Sequence, residues 1–202
     1  MEVSKIQFSP EELNLAENAE WILTKNGIIG KVMSVFGELS DDYRTIVKDK
    51  LAFLPTETFS FSPKISRGEQ YQGLPYVMLD YPRIFSKDDV FAVRSFFWWG
   101  NYMSLTLHVK GKYKHLFQGK ILKGFQIFSE EDYSIAIAED EWRHDFETEN
   151  YISVKGSELL FEEITQQKEF IKLAKRWPIQ QANQMELLFA SQFANVMNVL
   201  TT

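Results

Sequence analysis

The stretch RSFFWWGNYMSLTLH, residues 94–108, decides how this chain is read. Gly100-Asn101 divides it into two strand-like runs, and a glycine opening a two-residue hairpin loop accepts positive φ at no steric cost. Such a loop pairs Trp99 with Tyr102, and the rest of the register follows. On one face Phe97 then meets Ser104, Ser95 meets Thr106 and Val93 meets His108. On the other, Trp98 meets Met103, Phe96 meets Leu105 and Arg94 meets Leu107. The second face is nearly all apolar and is expected to lie against helices. The first mixes aromatics, hydroxyls and His108, which suits a half-solvated face or the lining of a polar cavity.

By this register Arg94 falls on the apolar face. A guanidinium buried there without a partner costs several kcal/mol, so an acid must accompany it. Asp80, near the end of the strand-like run Tyr76–Asp80 and followed by Tyr81, Pro82 and Arg83, is the expected partner in a bidentate fork. Asp88 and Asp89 lie in a polar turn and suit solvent or a cap better.

Working outward, Ser9-Pro10-Glu11-Glu12 is a helix start with a capping box. Asn26-Gly27 reads as its stop, with further helices from Ile28 to Phe36 and from Asp41 to Lys50. Residues 1–50 are therefore expected to form a helical hairpin with an added helix. Residues 55–155 read as mainly β: Thr58–Ser62, Tyr76–Asp80, the aromatic hairpin over 90–110, Phe125–Phe128 paired with Tyr133–Ala138, and Tyr151–Val154. Residues 156–202 read as helical again, with a break at Trp177-Pro178 and a long amphipathic helix from Ile179 to Leu200. Helices, then strands, then helices imply one α+β domain over residues 1–202, an antiparallel sheet of about five to seven strands packed by the N-terminal and C-terminal helices.

Composition narrows the function classes. A net charge of −6 argues against a non-specific nucleic-acid binder, and the lysines at 110, 112, 114, 120 and 123 read as a solvated loop. With no cysteine there is no disulfide, thiolate nucleophile or zinc–thiolate site. MEVSKIQFSPEEL has neither the basic start nor the apolar core of a secretory signal, and no apolar run is long enough for a membrane span. A cytoplasmic location follows as the default expectation.

Three histidines, His108, His115 and His144, show no metal-ligand spacing, so no metal and no cofactor is expected. Phosphate-binding glycine loops and the GxSxG elbow are absent. The run Glu139 to Asp145 around His144 reads as a solvated segment. The favoured reading is a non-enzymatic module that binds a small ligand or a partner. In it Trp99 and Tyr102 stack on the ligand, Arg83 or Arg94 recognises an anion, and Asp80, Tyr81, Ser95, Thr106 and His108 complete the candidate site. One alternative is a hydrolase-like enzyme with Asp80 or His108 as base and Arg94 stabilising negative charge. Another is a structural homodimer with the C-terminal helix as its interface.

Overall fold

The structure is a computed structural model that describes residues 6–202. Five residues of the N-terminal stretch judged against a signal peptide, 1–5, lie outside the described residues. Seven strands form one antiparallel sheet: β1 (Lys64–Tyr71), β2 (Leu74–Phe85), β3 (Val90–Trp98), β4 (Tyr102–Lys110), β5 (Ser134–Ala136), β6 (Tyr151–Ser153) and β7 (Phe170–Pro178), in the order β1-β2-β3-β4-β7-β5-β6. Helices α1 (Pro10–Glu17), α2 (Ala19–Lys48), α3 (Lys112–Lys123), α4 (Phe125–Glu130), α5 (Glu158–Gln167) and α6 (Met185–Thr201) complete the α+β fold.

At the N-terminus the Ser9 capping box is present. Asn18 ends α1 and caps α2, its Oδ1 accepting from Trp21 N at 2.9 Å. Gly27 does not stop the chain: α2 is one helix of 30 residues. Glycine inside a helix costs about 1 kcal/mol. The buried stripe Ile29, Val32, Phe36, Leu39, Tyr43 and Val47 outweighs that cost by packing α2 across the sheet.

Several expected elements change identity, each for a physical reason. Thr56–Ser60 is a short 3-10 helix, and the strand lies beyond it at Lys64–Tyr71. As an edge strand, β1 needs only one covered face, and its charges conceal its period. Lys112–Lys123 is a helix whose Tyr113, Phe117 and Ile121 are buried at a spacing of four. Phe125–Phe128 belongs to a helix as well. The main correction is β7, expected to be helical. Ile171, Leu173 and Trp177 point to the helical side and Phe170, Lys172, Ala174 and Arg176 to the other, so two lysines and an arginine hide a period of two.

The turn of the central hairpin is one residue longer than expected. Phe97 pairs with Met103, Ser95 with Leu105, Arg94 with Thr106 and Ala92 with His108. Trp99, Gly100 and Asn101 form the loop, with Gly100 at φ +70° and Asn101 N donating to Trp98 O at 3.1 Å. The slip of one residue re-sorts the faces. Phe91, Val93, Phe97, Met103, Leu105, Leu107 and Val109 form the helical side of the sheet and pack with α2, α3 and α6 into one core. Arg94, Thr106 and His108 share the opposite face. The C-terminal helix is core: Phe193 is fully buried and stacks on Tyr43 at 3.7 Å between centroids, which leaves that face of α6 no surface for a partner.

Candidate functional site

The second face of the sheet is covered by a long connection, residues 137–150, that lies across it as a strap. Beneath it Arg94 and Asp80 sit directly opposite one another on β3 and β2. Arg94 Nε donates to Asp80 Oδ1 at 2.7 Å and its NH2 group donates to Oδ2 at 2.9 Å, so the expected fork is present. The remaining Arg94 nitrogen, NH1, lies 2.7 Å from His144 Nε2. A guanidinium can only donate, so Nε2 of His144 accepts and that ring is the neutral Nδ1–H tautomer. Burial pushes the His144 pKa well down, and the charges of Lys172 and Arg94 push the same way.

The strap is held by its alternate residues. Trp142, His144 and Phe146 turn toward the sheet, where Trp142 meets His108 edge-on and Phe146 stacks on Tyr151. Between them Arg143 forms a two-point pair with Asp145. The Tyr71 hydroxyl accepts from His144 N at 2.7 Å and Asp145 N at 3.2 Å, and Tyr102 donates to His144 O at 3.0 Å. Tyr71→Phe deletes the acceptor for two backbone donors. It is expected to cost about 1–3 kcal/mol of local stability and to speed amide exchange at His144 and Asp145 by roughly 5- to 150-fold. Unchanged exchange there would show that Tyr71 does not anchor the strap.

Lys172 and His108 are cross-strand neighbours on this face. Lys172 is 1% exposed, and its ammonium donates to the backbone carbonyls of Glu141 and Arg143. Burial and the nearby Arg94 charge push its pKa down to about 7, while Asp140, Asp145 and Glu141 oppose the shift. His108 Nε2 lies 3.0 Å from Glu141 Oε2, close but poorly aligned for a hydrogen bond. Burial lowers the His108 pKa, and Glu141 only partly offsets this. Glu141 in turn is held down to about 2 by His108 and by Lys110, whose Nζ is 2.6 Å from Oε1.

Arg94, Thr106, His108, His144 and Lys172, walled by Phe85, Ala92 and Trp142, enclose a cavity of about 10 Å³. That is room for one water-sized group. Among the described residues no carboxylate lines it, and no group of three or more His, Asp or Glu side chains is placed to hold a metal ion. The sequence matches no family model, and neither a curated protein nor a solved structure matches the chain.

Of the residues expected from sequence, Arg94, Thr106 and His108 meet at this cavity, with Asp80 behind Arg94. Ser95 is on the helical side, 2.8 Å from the Tyr43 hydroxyl. Trp99 packs beside Phe97 at the edge of the main core, whereas Tyr102 is on the strap side, so the two cannot clasp one ligand. A register shift between Asp80 and Arg83 turns Tyr81 into the helical core. It also places Arg83 opposite Ala92, where Nε donates to Ser62 O at 2.6 Å outside the cavity. Lys172, Glu141, Trp142 and His144 complete the site and were not singled out for it. The available signal was the alternation of large rings with charges over 141–146.

Proposed function

We propose that this protein is a binding module whose ligand is a small anion, or the anionic end of a small molecule, taken up between the sheet and the strap. The single observation that carries this reading is the convergence of Arg94, His108, His144 and Lys172 on one cavity with no carboxylate in its wall. An anion there would approach the Arg94 guanidinium, which is forked to Asp80 and bonded to His144, and the Lys172 ammonium, which donates to backbone carbonyls, so it must displace or share these partners. It would be held by charge-assisted hydrogen bonds in a site of low dielectric. At about 10 Å³ the cavity has room for a water-sized group such as one oxygen of a carboxylate, and a whole anion requires the strap to move. The hydrolase alternative has less support, since both oxygens of Asp80 are engaged by Arg94 and His108 is packed against Glu141. The stacking role given to Trp99 falls away with its position.

The test is thermal unfolding in chloride, nitrate, formate, acetate and phosphate at constant ionic strength and pH 6.5. An anion at ten times its Kd adds about 1.4 kcal/mol, a rise in Tm of roughly 3–6 °C for a chain of this size. Smaller anions are expected to act at lower concentration than phosphate, and Lys172→Met to remove the effect. Equal Tm values across the series would overturn the reading.

A further inference from the structure

We infer that the projecting N-terminal helical arm is a self-association surface, on which a second copy of this chain pairs in antiparallel orientation. Every residue from Pro10 to Thr24 is exposed, and α1 buries none of its side chains. The arm nevertheless carries Leu13, Leu15, Trp21 and Leu23, each about half exposed or more. Helical segments this short are marginal in water without tertiary packing. Trp21, Ile28 and Val35 recur every seventh residue, so they share one side of α2. That side runs into an open apolar groove of about 790 Å³, lined among others by Ile28, Val32, Val35, Phe97 and Met185.

Residues 19–24 cannot fold back into that groove, because residues 19–48 are one continuous helix and the groove is lined by its turns from Ile28 to Val35. The arm of a second copy can enter it, and by two-fold symmetry the first arm enters the groove of the second. Charge selects the direction. Glu11, Glu12, Glu17 and Glu20 occupy the first half of the segment, and the second carries Lys31 and Lys25, the latter already paired with Glu69 at 2.8 Å. Antiparallel pairing of α2 with its two-fold near Thr24 brings Glu20 of one copy over Ile28 of the other, with α1, across the break at Asn18, on the side of the partner's Lys31 and Val35. Parallel pairing would set glutamates against glutamates. The same excess of glutamate disfavours an anionic membrane surface as the occupant.

Light scattering of the full chain from 1 to 100 µM tests this. The expected result is a species of twice the 23.7 kDa chain mass. Leu13→Glu with Trp21→Glu changes only exposed positions; it is expected to raise the dissociation constant at least roughly 100-fold and leave circular dichroism and Tm unchanged. Because the chain lacks cysteine, oxidative cross-linking reports direction: Thr24→Cys is expected to cross-link and Leu13→Cys is not. A chain monomeric at 100 µM overturns the proposal, as does a dimer unaffected by the double substitution. Efficient cross-linking through Leu13→Cys overturns the antiparallel arrangement.

Discussion

Arg94→Met is expected to destabilise the protein by about 3–5 kcal/mol, because it leaves the Asp80 carboxylate buried and unpaired. Asp80 is 5% exposed, and two of its hydrogen bonds come from the one side chain being removed. Asp80→Leu alone should cost a similar amount, since the guanidinium then keeps only His144. The double variant Asp80→Leu/Arg94→Met should recover most of the loss, as a methionine–leucine pair needs no polar partner on this face. Denaturant unfolding gives the comparison, with the midpoint falling in the single variants and the slope m unchanged. A coupling energy near zero across the cycle would mean that the fork does not hold β2 to β3. The cycle also separates two roles of Arg94, because the double variant is expected to regain stability without regaining anion-dependent stabilisation.

This pair shows what sequence reasoning could reach. An arginine inside an apolar strand requires an acid, and Asp80 was the nearest one at a strand end; both parts of that inference are local chemistry. The position of Arg94 relative to His108 was not local. It depended on whether the Gly100 turn closes over two residues or three, and a glycine at positive φ serves either loop. One added loop residue brought Arg94 onto the face of His108 and sent Ser95 to the side of Tyr43. Strand β7 was hidden for a related reason. Lys172 is a buried ammonium, and a charged residue at an inward position erases the alternation that identifies a strand. The strap was concealed in the same way, its inward rings interleaved with Glu141, Arg143 and Asp145. Positions where a charge is buried against pattern are thus where the reading failed and where the candidate site lies. The α+β arrangement itself was legible, because apolar periodicity at both ends of the chain and in the hairpin does not depend on those few charges.

Lys172 gives the second large effect, in pH dependence. Its pKa falls from 10.5 in the unfolded chain to about 7 in the folded protein, a difference of about 5 kcal/mol at most. Between those two values the unfolded chain binds the proton that the folded protein has released, so stability rises with pH across that window. Below about pH 7 both states are protonated and the penalty of the buried ammonium is constant. The groups that face it are Arg94 from β3, His108 from β4, the Tyr151 ring at 5.5 Å from β6, and His144 and the Glu141 and Arg143 carbonyls from the strap. Both histidines are shifted down and burial pushes Tyr151 well up, so these three move out of the window between pH 7 and 10. Any local opening of the strap that lets water reach the ammonium would reduce the observable gain, which is expected at about 2–4 kcal/mol between pH 7 and 10. Lys172→Met should flatten that rise, as measured by urea midpoints at half-unit pH steps. A bound anion holds the proton on Lys172, so saturating anion should move the onset of the rise above pH 7, and anion affinity should fall up to tenfold per pH unit beyond the bound-state pKa. An equal rise in the methionine variant would place its source elsewhere, and an onset unmoved by anion would separate Lys172 from the binding site.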